Sequence, residues 1–165
     1  MITERVVIAD SSPLIALARI NQLNLLHHLA SRVVVPPAVW DEVTVKAPEA
    51  PGAGMIREAA WLEVLTPDRA LVEALAILLD RGEAECIALA QTTTNSLLLL
   101  DDSRARRIGE QLSLRLIGTL GLLRRAKQAG LIEALRPQID ALQANNIFIH
   151  QKLIDRILQD VGEAQ

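Results

Sequence analysis

The chain has 165 residues, half of them apolar, with a formal net charge of -3, eight Gly and seven Pro. That suits one domain with a real core and excludes a disordered chain. A single cysteine, Cys86, excludes an internal disulfide framework and a cysteine-based zinc site, and no stretch reaches the ~20 apolar residues of a membrane span, so a soluble, uncleaved protein of a reducing cytoplasm is expected.

Val6-Val7-Ile8-Ala9 is a continuous apolar run rich in β-branched residues, as a strand covered on both faces requires. It stops at Asp10. Ser11 or Ser12 can cap a following helix that has Pro13 in its first turn and apolar residues Leu14, Ile15, Leu17 and Ala18 at helical spacing. A helix over 22–30, a strand at Val33–Val35 and a Pro36-Pro37 turn into a helix carrying Trp40, Asp41, Glu42 and Val43 come next. Lys46 to Gly54 is the most loop-like stretch. Beyond it the pattern predicts an edge strand at Trp61–Leu65, a helix around 69–79, a helix from Glu83 to Thr92, and a central strand at Leu97–Leu100 ending on Asp101-Asp102. A basic helix over 103–112, a short strand at Leu114–Ile117 and helices over 119–129, about 131–143 and 150–160 complete the chain. This alternation predicts one α/β domain over 1–165, a three-layer α/β/α arrangement around a mainly parallel sheet, with the helices of about 131–160 packed on it.

Ligands of open parallel sheets bind beyond the carboxyl ends of the strands. Asp10 and Asp101 stand at two such ends, and Glu42 and Glu83 lie at the starts of neighbouring helical segments. One acid there can simply mark the strand's emergence into solvent. Four clustered carboxylates repel, and a divalent cation is the natural means of neutralising them. All the candidate ligands are oxygens, which favours Mg²⁺ or Mn²⁺ over zinc. Such ions polarise phosphoryl oxygens and activate water, so phosphodiester hydrolysis is the reaction class.

The stretches VVIADSSPLIALARI, VVVPPAVWDEV, LDRGEAECIALA, LLLLDDSRARRIGEQL and IGTLGLLRRAKQAGLI, with a weaker continuation to Gly162-Glu163, together resemble PIN-domain proteins, in particular the VapC-related branch of bacteria and archaea. The resemblance implies a metal-dependent endoribonuclease, the toxin of a toxin–antitoxin pair, with RNA as substrate, an antitoxin as partner and Mg²⁺ or Mn²⁺ as cofactor. It implies that the first acid is Asp10, the second Glu42, the third in the GEAECIALA helix and the fourth Asp101, with Asp102 beside it as a further metal ligand. Ser11 and Ser12 match the small hydroxyl position after the first acid; one can orient Asp10 or a bound water, and helix capping is the simpler alternative. PIN relatives commonly pair, and with a mean hydropathy of +0.25 in 18.0 kDa the chain is expected to hide apolar surface in a homodimer or against a protein partner, through helices of its N-terminal half.

Glu83 and Glu85 lie two residues apart on one helix, so at about 100° per residue they point roughly 200° apart and one metal centre takes only one of them. Glu83 shares its stripe with Ile87 and Ala90, and the seven-residue step from Glu83 to Ala90 resembles the PIN spacing of acid to small residue. Glu83 is the expected ligand, although it can also close a capping box with Asp80. A pI near 5.6 leaves no global basic field, and with no Tyr and 2% aromatics the chain lacks the platforms of base-stacking modules. RNA contact therefore falls to Arg104, Arg106 and Arg107 after the fourth acid, and less to Arg124, Arg125 and Lys127. His27, His28 and His150 follow no catalytic spacing, Cys86 reads as a buried inert thiol, Trp40 and Trp61 as core or interface, and Gly118 and Gly121 form no phosphate-binding loop. Two other functions compete. A non-cleaving nucleic-acid- or protein-binding regulator would retain this fold and pocket; an aspartyl phosphotransferase is disfavoured because Asp10 is followed by Ser11-Ser12 rather than by a second acid two residues on.

Overall fold

A computed structural model describes residues 4–164. Five parallel strands form one sheet in the order β3-β2-β1-β4-β5, comprising β1 (Val6–Ala9), β2 (Arg32–Val35), β3 (Leu62–Val64), β4 (Ser96–Leu99) and β5 (Leu116–Ile117). In the middle, Val7 stands level with Val33 on one side and Leu97 on the other. Every residue of β1 is buried because helices cover both faces, which is why the strand reads as unbroken apolar sequence.

Among the described residues ten α-helices lie between the strands and after the last of them. They are α1 (Ser11–Arg19), α2 (Asn24–Leu29), α3 (Pro37–Trp40), α4 (Ala53–Glu58), α5 (Arg69–Leu75), α6 (Arg81–Thr92), α7 (Ser103–Gln111), α8 (Thr119–Gln128), α9 (Arg136–Ala144) and α10 (Gln151–Asp160). α1 packs with α4 and α8, whereas α6 packs with α3 and α5 and lies on β1 and β4. The result is the expected three-layer α/β/α architecture. Leu135, Ile139 and Leu142 from α9 and its approach, with Ile154, Ile157 and Leu158 of α10, join the same apolar cluster as the strands.

The chain runs β1, β2, β3 toward one edge and then returns to place β4 against the other side of β1. This reversal opens a crevice between the carboxyl ends of β1 and β4. Three local features depart from the sequence reading. A helix, α4, starts at Ala53, inside the expected 46–54 loop; α3 runs directly into a π-helical segment, Asp41–Val45, where the Lys46 N–H donates to the Asp41 carbonyl at 2.8 Å; and the helix expected from about 131 starts only at Arg136. α4 begins after Gly52, whose φ of +92° and close approach to α1, where a Cβ would lie 2.8 Å from Ala18 Cβ, admit only glycine.

Candidate active site

Asp10 ends β1 at the crevice floor and is 7% exposed. Beneath it the Cys86 thiol points to the Ala9 carbonyl at 3.6 Å and stands 4.0 Å from Asp10 Oδ1. Cys86 is fully buried, and burial followed by the nearby carboxylates pushes its thiol well up, so it is an inert floor rather than a nucleophile. Burial is also the main reason that the Asp10 carboxyl is raised to about 6; the Ser11 N–H pulls it down, and Asp80, Glu42 and Asp101 push it up. Three other acids thus crowd one buried carboxyl.

Each surrounding acid is held by a different element. Glu42 is exposed on the π-helical segment and accepts a 2.7 Å hydrogen bond from the buried Ser11 hydroxyl. Segments of π-helix recur at functional sites because the extra residue re-aims a side chain. Asp101, just beyond β4, accepts from the Thr119 N–H at 2.8 Å and from the Thr119 hydroxyl. Gly118 makes that approach feasible, since a Cβ there would lie 2.9 Å from Asp101 Oδ1. Asp102 caps α7 through the Ala105 N–H at 2.9 Å.

Glu83 and Glu85 go to different partners. Glu83 forms the capping box with Asp80 and faces the crevice acids: burial first, then Asp80, Asp102 and Asp10, raise its carboxyl to about 7. Glu85 is buried, accepts from the Ala38 N–H at 3.1 Å and stands 3.8 Å from Arg81 Nε, tying α6 to α3. Asp80 and Thr119 were not among the expected site residues. Asp80 offered only a capping signal, and nothing local in Gly118-Thr119 signals that β5 delivers them to Asp101.

The expected RNA-contacting arginines divide. Arg106 donates to the Leu100 carbonyl at 2.7 Å beside Asp101 and lines a groove there, whereas Arg104 and Arg107 are exposed on α7. Farther along, Arg124 pairs with Asp160, Arg125 with buried Glu4, and Lys127 with Glu163, so these three tie elements of the fold together. Ser12 is exposed and lines the same groove as Arg106. His27 stacks on Trp61, and His28 and His150 bond to nearby backbone, the latter capping α10.

As these side chains stand, no three of the described His, Cys, Asp or Glu residues close into a shell around a metal ion. Glu42, Glu83 and Asp101 are instead occupied by Ser11, the Asp80 N–H and Thr119. The donor chemistry still fits a hard divalent cation: every candidate is an oxygen, and the negative charge crowded on Asp10 is what such an ion would offset. No described helix is long and apolar enough to cross a membrane.

No match was found among curated proteins. The family model for the PIN domain matches residues 6–163. PIN domains are generally nucleases, hydrolases that typically use divalent metals. The matched span runs from the first residue of β1 to Glu163 beyond α10 and takes in every element that builds the acidic crevice, and the chain therefore belongs to the PIN-domain family.

Proposed function

We propose that this protein is a metal-dependent endoribonuclease that hydrolyses RNA phosphodiester bonds, acting as the toxin of a toxin–antitoxin pair related to the VapC proteins. The observation that carries the reading is Asp10, a carboxyl buried at the switch point of a parallel sheet with Asp80, Glu42 and Asp101 crowding it. Asp10, Glu42, Glu83 and Asp101 would hold Mg²⁺ or Mn²⁺, with Asp102 at the margin. The ion when bound supplies polarisation of the phosphoryl oxygen and activation of water for in-line attack.

The chain's own groups then have distinct tasks. Ser11 orients Glu42, and Thr119 fixes both oxygens of Asp101, so two of the four acids are aligned by neutral donors. Asp10 and Glu83, raised to about 6 and 7, would have to be deprotonated to hold a cation, so cation uptake would weaken below neutrality. The reading includes a cytoplasmic location, a homodimer and an antitoxin as protein partner. The alternative, a non-cleaving nucleic-acid- or protein-binding regulator, would keep the same fold and crevice.

The two readings part in a cleavage assay on defined single-stranded RNAs with Mg²⁺, Mn²⁺ or chelator. The nuclease reading requires fragments that appear with metal, vanish with chelator and are absent with Asp10→Asn. Binding of RNA without fragments under every metal condition supports the regulator instead.

A further inference from the structure

A groove of about 780 Å³ starts at Asp101 and runs over α8 to the 147–150 segment and α10. That volume lies within the range of about 300–1,000 Å³ typical of ligand sites. Its near end belongs to the acidic crevice, through Asp101, Thr119 and Arg106; its far end is lined by Phe148 and Arg156. Nothing in the catalytic reading uses that far end.

Phe148 is the chain's only phenylalanine and is 87% exposed. Ile147 and Ile149 on either side pack against the core, so the stretch is anchored while the ring between them faces out. Arg156 is exposed on the same groove and has no ion-pair or hydrogen-bond partner among the described residues. A solvent-facing aromatic ring and an unpaired guanidinium on one groove are the combination that single-stranded nucleic acid uses, the ring against a base and the cation against a phosphate. Low aromatic content excludes a platform for several bases and leaves one stacking position.

We propose that this groove is the track of the single-stranded RNA on one side of the scissile phosphate, with Phe148 stacking on one base and Arg156 holding a backbone phosphate. The inference rests on the nuclease reading and deepens it: Phe148 and Arg156 would be substrate-positioning residues. The groove lining carries Arg106, Arg124 and Arg156 against Asp101 and Asp160, and this positive excess together with continuity with Asp101 favours RNA over a peptide. Double-stranded RNA, whose bases are already stacked on one another, gains nothing from Phe148.

Fluorescence anisotropy of an end-labelled single-stranded RNA in chelator measures binding without cleavage. Phe148→Ala is expected to weaken binding about 5- to 150-fold, the range for losing one stacked base, while Phe148→Trp retains it. Arg156→Ala should lower the slope of log affinity against log salt by about 0.7. Duplex RNA of the same sequence should be insensitive to Phe148→Ala. An exposed ring contributes little to folding, so the variant stays testable. If Phe148→Ala and Arg156→Ala both bind single strands like wild type while wild type still cleaves RNA, the groove is not the track, a peptide becomes its better occupant, and the nuclease reading survives. If wild type neither binds nor cleaves single-stranded RNA, both readings fall together.

Discussion

Asn at position 10 should make the metal-free protein more stable at neutral pH even as it abolishes cleavage. Burial first, and then the neighbouring acids, raise the Asp10 carboxyl from 3.8 to about 6 in the fold, so the folded state holds this proton more tightly than the unfolded chain. Because the folded value is raised, the associated stability is fully present below about pH 4 and is lost as pH rises through about 6. A shift of that size corresponds to about 3 kcal/mol at pH 8. Asp10 is 7% exposed, so solvent screens little of it. At ~2–4 °C per kcal/mol for a chain of this size, the effect is roughly 6–12 °C in melting temperature. The decisive quantity is the difference in melting temperature between wild type and Asp10→Asn, followed in chelator from pH 4.5 to 8. Using the difference cancels the titration of distant groups and the constant cost of fitting an amide. It should move in favour of Asn as pH rises, and millimolar Mg²⁺ should shrink it by stabilising only wild type. A difference that stays flat across this range, or moves toward wild type, refutes the claim that the crevice strains this carboxylate.

Other residues give sharper separations of role. Glu83→Gln should weaken Mn²⁺ binding and cleavage at least tenfold with little loss of stability, whereas Glu85→Gln, which weakens a buried link to Ala38, should cost roughly 1–3 kcal/mol in urea denaturation and leave Mn²⁺ affinity nearly unchanged; the opposite pattern reassigns the third ligand. Gly118→Ala forces a Cβ within 2.9 Å of Asp101 Oδ1 and should lower kcat on the order of 10–100-fold while the far-UV spectrum stays native. Glu163 is subject to burial, which alone would raise its carboxyl, but bonds from the Leu135 N–H, the Lys127 ammonium and the Arg136 N–H outweigh it and hold the group at about 2. Its contribution is therefore present above about pH 4.5 and lost as pH falls toward 2, so Glu163→Gln should destabilise by roughly 2–3 kcal/mol at pH 7 and by much less at pH 3.

What could be read from the sequence was whatever had a local physical cause. Strands covered on both faces need apolar residues at every position, so β1 and β4 stood out as unbroken runs ending on acids. The opposite directions of Glu83 and Glu85 follow from helical pitch alone. The π-helical segment that carries Glu42 has no such local signal, because DEVTV is equally compatible with continued α-helix. Gly52 reads as a loop residue, yet its left-handed conformation and contact with Ala18 start α4, and six residues of AGMIRE carry too little periodicity to announce a helix. Asp80 and Thr119 reach Asp10 and Asp101 only through the crossovers that set the strand order. That convergence is a property of topology, with no signal in the residues beside either position. The weak Gly162-Glu163 continuation has its cause in a left-handed Gly162 and in Glu163 capping the start of α9 from beyond α10.

Direct titration with Mn²⁺, followed by the loss of the free-ion paramagnetic resonance signal at pH 7.5, bears most closely on the claim that the crevice carboxylates exist to hold a divalent cation. Wild type should bind saturably, and Asp10→Asn, folded and at least as stable, should lose at least tenfold in affinity. Equal Mn²⁺ binding by the two proteins, or none by wild type, would contradict it.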